Sequence, residues 1–238
     1  MPTVASVLAE LKAKAAENFR ATYLRHGMPP DRTLGVSTAN MKAIAKSLKR
    51  QQALALAIYD TGIFEAMYLA GMVADGAQMS RAQLQAWAEA AAGMPMIYEY
   101  TVPWVTVENA DGPALAAKWV TSKKEHIAAA GWATYSGLVA TVPDDKLDLR
   151  ALEALLKEIP AKIKSAPNRV RAAMNSFVIA VGTYVAPLQK QVLATAKALG
   201  TVEVDVGDTA CEIPVAAERI AKAQMSGRAG VKRKTIRC

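Results

Sequence analysis

Ser37-Thr-Ala-Asn-Met-Lys-Ala-Ile-Ala-Lys-Ser-Leu-Lys-Arg50 is the stretch that decides the fold class. A serine ahead of such a run can accept a hydrogen bond from the orphan amides of a first helical turn. Behind it, Met41, Ile44, Ala45 and Leu48 recur at three- and four-residue steps, which puts them on one helix face. The same signals return along the chain. Ser80-Arg-Ala-Gln83 and Ser122-Lys-Lys-Glu125 have capping-box form, in which the two side chains satisfy each other's backbone amides. Pro103, Pro113, Pro187 and Pro214 stand where a first turn tolerates a missing amide. The stretches between are dominated by helix formers: Ala, Leu, Lys, Glu, Gln and Met.

These signals predict helices near 3–25, 38–50, 52–59, 62–75, 80–92, 96–101, 103–110, 113–121, 123–140, 148–159, 167–183, 187–199 and 213–226. Only residues 201–206, TVEVDV, alternate with period two. A lone short strand has no partner, so this segment reads as an extended connector. The fold class is all-α. The helices are short, closely joined and paired at about 35–45 residues, the spacing of HEAT and armadillo units rather than of a four-helix bundle. From pattern alone, a HEAT-like or armadillo-like α-α superhelical solenoid and a generic globular helical domain both fit. The expected organisation is a single helical domain over residues 1–226, followed by a basic tail over residues 227–238.

Charge is distributed unevenly. The 238 residues carry a formal net charge of +8, from 29 Lys and Arg against 21 Asp and Glu. Residues 219–238 hold seven of those basic residues and no acid, which leaves 22 basic and 21 acidic groups in residues 1–218. A nearly neutral body therefore carries a basic end. With 52% hydrophobic and 21% charged residues, the chain buries a core rather than remaining disordered. Its apolar runs are too short and interrupted for a membrane-spanning helix, and its first twenty residues lack the apolar block of a signal peptide, so a cytoplasmic location is expected.

Several chemistries lack their residues. Cys211 and Cys238 are too few for a disulfide framework or a closed zinc site. His26 and His126 have no ligand partner at metal spacing, and the acidic group Asp205, Asp208, Cys211 and Glu212 reads more readily as a helix-capping knot than as a metal site. No basic neighbour activates Cys211 as a nucleophile. There is no Gly-rich phosphate loop, so neither a metal nor a nucleotide cofactor is expected.

Three stretches carry a resemblance. They are residues 35–46, GVSTANMKAIAK; residues 98–137, rich in Trp and Tyr; and residues 169–184, RVRAAMNSFVIAVGTY. Each resembles the DNA alkylation repair family, the AlkD-like proteins built from HEAT-like helical repeats, and together they span most of residues 1–200. That resemblance implies a superhelical stack whose basic concave face holds double-stranded DNA. It also implies excision of N3- and N7-alkylated purines, with a carboxylate and Trp rings stabilising the sugar cation as the base leaves. Such a cation favours a nearby negative charge and an indole face.

The family's Trp and catalytic Asp, four positions apart, match Trp104 and Glu108, with Glu replacing Asp. The family's Arg aligns near Ala128–Ala130 and its second Trp near Ser176, and neither is kept. Trp104 and Glu108 are the candidate catalytic pair, while Tyr98, Tyr100, Trp119, Trp132 and Tyr135 read chiefly as helix-packing aromatics. Lys123 and Lys124 precede one predicted helix, Arg169 and Arg171 open another, and Lys232, Arg233, Lys234 and Arg237 lie in the tail. These are the candidate DNA contacts, because helix starts and mobile cations both attract phosphate. The tail read as a solubilising segment, or folded back on acidic helices, is the alternative. Three functions follow: a DNA-binding member with weak glycosylase activity, a non-catalytic DNA-binding module, or a protein-interaction scaffold with a protein partner.

Overall fold

The computed structural model describes residues 2–48 and 51–237. They form thirteen α-helices and no strand, with one isolated antiparallel bridge between Ala15 and Val36. No single helix among them is long and apolar enough to cross a membrane. The chain divides into two compact units. The first holds residues up to Leu115, with Val206–Ala210 and Arg237; the second holds Ala116–Asp205 and Cys211–Ile236.

The first unit begins with α1 (Val4–Ala13) and α2 (Glu17–Arg25). The expected single helix over 3–25 is thus two. The break has a physical cause: the Ala16 amide leaves the helical ladder to donate to the Gly35 carbonyl at 2.9 Å, beside the Ala15–Val36 bridge. The opening stretch forms α3 (Thr38–Ser47), and Ser37 Oγ accepts from the Asn40 amide at 3.2 Å. Met41 and Ile44 are buried as their spacing predicts; residues 49 and 50 of the predicted helix lie outside the described residues. Next come α4 (Gln52–Tyr59), α5 (Phe64–Val73) and α6 (Arg81–Ala90), where both halves of the Ser80–Gln83 capping box are formed. A π-helical turn, Ile97–Thr101, runs directly into α7 (Val102–Val107). The hairpins stack like on like: α3 packs on α5, and α5 on α7. The helix α8 (Gly112–Trp119) follows.

A buried carboxylate organises the start of this unit. Glu65 of α5 is fully buried and accepts from the amides of Leu34 (2.9 Å), Gly35 (2.5 Å) and Val36 (3.2 Å). Three amides converge only because Gly35 holds φ +96°, and a Cβ there would lie 2.6 Å from the Ala16 carbonyl oxygen. Nearby, Tyr59 lies flat on Trp87, with centroids 3.8 Å apart and planes 4° apart. Its hydroxyl donates to the Trp87 carbonyl at 2.7 Å. Burial pushes the Tyr59 phenol well above its ordinary pKa, with a smaller push from Asp60 and an opposing one from Arg32.

The second unit contains α9 (Glu125–Thr141), α10 (Leu149–Lys162), α11 (Asn168–Tyr184), α12 (Gln189–Leu199) and α13 (Ala216–Met225). Helix α11 packs on both α9 and α13, while α10 packs on α12, giving the two-layered stacking of successive hairpins. The approach of α13 to α11 is close, because a Cβ on Gly182 would lie 2.4 Å from Ile220 Cδ1. The expected capping box at Ser122–Glu125 does not form. Ser122 Oγ instead accepts from the Lys124 amide at 3.1 Å, and the Glu125 carboxylate turns to the Arg169 amide at 2.7 Å. Residues 201–206 form an extended connector, as their lack of a strand partner predicts.

Candidate nucleic-acid interface

Trp104 lies within the short α7 helix and Glu108 caps its C-terminal end, in the first unit. Trp104 is only 2% exposed, with the Tyr68 ring edge-on at 5.0 Å and 72° and the Tyr100 ring tilted at 6.4 Å. It is a core aromatic in its packing. Glu108 ends the helix and is about one-third exposed. A carboxylate at a helix C-terminus meets the negative end of the dipole and needs compensation.

Arg237 supplies that compensation. Its Nε donates to Glu108 Oε1 at 2.6 Å, and its Nη2 donates to Glu108 Oε2, a two-pronged guanidinium–carboxylate pair. The same guanidinium donates to the carbonyls of Gly71 at 2.6 Å and Ala74 at 2.8 Å, which close the last turn of α5. Glu108 Oε2 also accepts from the Gly76 amide at 3.2 Å. Asn109, buried beside it, donates to the carbonyls of Gly76 (2.7 Å) and Met79 (2.8 Å) and fixes the end of α7. Both oxygens of Glu108 are therefore engaged inside the protein. A charge paired in this way is poorly available to a sugar cation.

In the second unit, the Glu125–Arg169 contact joins the N-terminal ends of α9 and α11. Lys123 and Lys124 precede α9 and are exposed, and Arg169 and Arg171 lie in the first turn of α11, half-buried. These four cations gather at one end of a parallel helix pair, where backbone amides and dipoles add positive potential. Arg171 donates to Asn168 Oδ1 at 3.2 Å, and the amide group of Asn168 exchanges hydrogen bonds with the Asp205 backbone at 2.7 and 2.8 Å.

The tail divides by role. Lys232 Nζ pairs with Asp144 Oδ1 at 2.7 Å and donates to the Val139 carbonyl at 2.8 Å, and the Arg233 amide donates to the Ala140 carbonyl at 2.7 Å. The residues at positions 233 and 234, Arg and Lys, are exposed. Arg237 belongs to the first unit, on Glu108. Cys238 lies outside the described residues.

Of the packing aromatics, Tyr98, Trp119, Trp132 and Tyr135 are buried, whereas Tyr100 is 46% exposed. Trp132 and Tyr135 both flank Phe177, at 5.2 and 5.9 Å. Among the described residues, no three of the His, Cys, Asp and Glu side chains cluster closely enough to hold a metal ion. Sequence reading missed two features. The structural role of Glu65 had no signal beyond an acid inside an apolar helix, and the partner of Glu108 had none, because 129 positions separate it from Arg237.

Helical hairpins stacked in this way define a HEAT-like repeat protein. The chain belongs to the DNA alkylation repair family, described as "DNA alkylation repair enzyme", which matches residues 7–202. Among solved structures it resembles one described as a new family of proteins related to the HEAT-like repeat DNA glycosylases, with affinity for branched DNA structures. The TM-score is 0.91, with 32% identity and full coverage of both chains. Among curated proteins it is 26% identical to Lin0241 of Listeria innocua, over 90% of this chain and 94% of that one. It is 25% identical to Lmo0209 of Listeria monocytogenes, with the same coverage.

Proposed function

We propose that this protein binds DNA, prefers branched forms, and does not excise alkylated bases. The observation that carries the second half is the Glu108–Arg237 pair. The carboxylate at the family's catalytic position already holds a guanidinium and the Gly76 amide, and its partner Trp104 is buried. To stabilise a sugar cation, Glu108 would have to give up two charge-assisted hydrogen bonds, and Arg237 would add a repelling positive charge beside the reaction. The preference for branched DNA rests on the solved relative at 32% identity.

Within this reading, Lys123, Lys124, Arg169 and Arg171 contact phosphates from the paired starts of α9 and α11, and Arg233 and Lys234 add to them. Lys232 and Arg237 act chiefly as anchors of the tail. The decisive experiment compares a four-way junction with linear duplex of equal length by fluorescence anisotropy, alongside base release from duplex containing 7-methylguanine. Tighter junction binding without release above that of an E108Q variant is expected. Equal affinity for both DNAs, or release that depends on Glu108, overturns it.

A further inference from the structure

A second cationic feature lies outside the helix starts. Between α11 and α13, within the second unit, is an open cavity of about 320 Å³ whose lining includes Arg219, Lys222 and Arg228 and contains no acidic residue. None of these three side chains has an ion pair or hydrogen bond to another side chain or to the backbone among the described residues. Three like charges around one cavity repel one another, and no acidic side chain in the lining offsets that cost. A bound anion would.

The arrangement is built by the backbone. Helix α13 buries Ala216 and Ile220, so Arg219 and Lys222, one turn apart, rise on the side that lines the cavity. The chain then turns at Gly227, φ +68°, and the Arg228 amide donates back to the Ala223 carbonyl at 3.0 Å. Two residues later the Gly230 amide donates to the Thr183 carbonyl of α11 at 2.8 Å. That turn and that anchor carry Arg228 back to the cavity that Arg219 and Lys222 line. From α11, Ser176 and Tyr184 add hydroxyls, and Ile179 an apolar wall. All three cations lie beyond the matched residues 7–202.

Converging cations with hydroxyl donors suit a phosphate group, whose several oxygens each accept hydrogen bonds. The volume falls at the lower end of small-molecule sites and leaves room for more than a bare phosphate. We propose that the α11–α13 cavity binds a phosphate carried on a small organic body, a nucleotide unit. It is supplied either as a free mononucleotide or as part of a nucleic acid. Only the second source rests on the DNA-binding reading above.

The test uses the full chain, the variant R219Q/K222Q/R228Q, and K12Q/K46Q/K190Q, which removes the same charge from exposed sites elsewhere. Circular dichroism establishes that both variants fold, since every residue changed is exposed. In one arm, AMP and inorganic phosphate are titrated by calorimetry. Binding to the wild type that weakens at least tenfold in R219Q/K222Q/R228Q alone assigns the site to a free ligand. In the other arm, junction affinity is followed against salt. A plot of log affinity against log salt that is shallower by about 2 in R219Q/K222Q/R228Q than in the control variant, at about 0.9 per phosphate contact, assigns it to nucleic acid. If neither arm separates the two variants, the proposal is wrong. If the wild type binds no junction even at low salt, the DNA-binding reading fails, and the mononucleotide arm alone decides this site.

Discussion

The guanidinium of Arg237 lies across the carboxylate of Glu108, Nε to Oε1 at 2.6 Å, while its other nitrogens cap the carbonyls of Gly71 and Ala74. One side chain thereby neutralises the acid at the end of α7 and completes the end of α5. Replacing it with Gln leaves those groups without their charged donor. R237Q is expected to lose about 1–2 kcal/mol of stability in urea unfolding, the lower figure reflecting partial exposure of the pair. An unchanged midpoint would show that the pair contributes nothing.

Glu65 predicts a larger effect. Truncating it to Ala removes one buried charge and strands the amides of Leu34, Gly35 and Val36. The expected loss is about 3 kcal/mol or more, the size associated with uncompensated buried polar groups. Equilibrium denaturation checks this, and a loss under 1 kcal/mol would mean that water replaces the carboxylate.

Alkaline pH isolates Tyr59. Its phenol in the folded chain ionises well above the ordinary value, because burial penalises the anion. The unfolded chain releases that proton near pH 10, while the folded chain keeps it. Stability from this group is thus complete below pH 10 and falls as pH rises toward the folded value, by up to about 1.4 kcal/mol per pH unit. Y59F costs about 1 kcal/mol at neutral pH, from loss of the hydroxyl's hydrogen bond to the Trp87 carbonyl, which keeps only the Ala91 amide. It also flattens the decline above pH 10 relative to wild type. Parallel curves for the two proteins would refute this assignment.

The tail and helix-start cations are separable. K123Q/K124Q should weaken junction binding and lower its salt dependence by about 1–2 contacts, with little change in melting temperature, since both are exposed. K232A should do the reverse, because its ammonium is tied to Asp144 and Val139. It should lower the melting temperature by a few degrees and leave the salt slope nearly unchanged. The opposite pattern would exchange the two roles.

The helical class was legible because its signals are local. Ser37 and Ser80 cap the helices that their spacing announces, and the spacing of Met41 and Ile44 gives their burial. The break between α1 and α2 was not legible, since a carbonyl at Gly35 competes for the Ala16 amide from outside the helix. Ser122–Glu125 failed as a capping box for the same reason, with Arg169 drawing the acid away. At the candidate site, sequence picked out both Glu108 and Arg237 but gave them separate roles. Their pairing depends on a contact across most of the chain, which no local pattern encodes.

That separation has a consequence for synthesis. Glu108 leaves the ribosome 129 residues before Arg237, a delay of roughly 6–26 s at about 5–20 residues per second. Through that interval the last turn of α5 and the end of α7 must form without their shared cation. The first unit therefore matures in two stages, and its final contacts wait until nearly all of the second unit has been made.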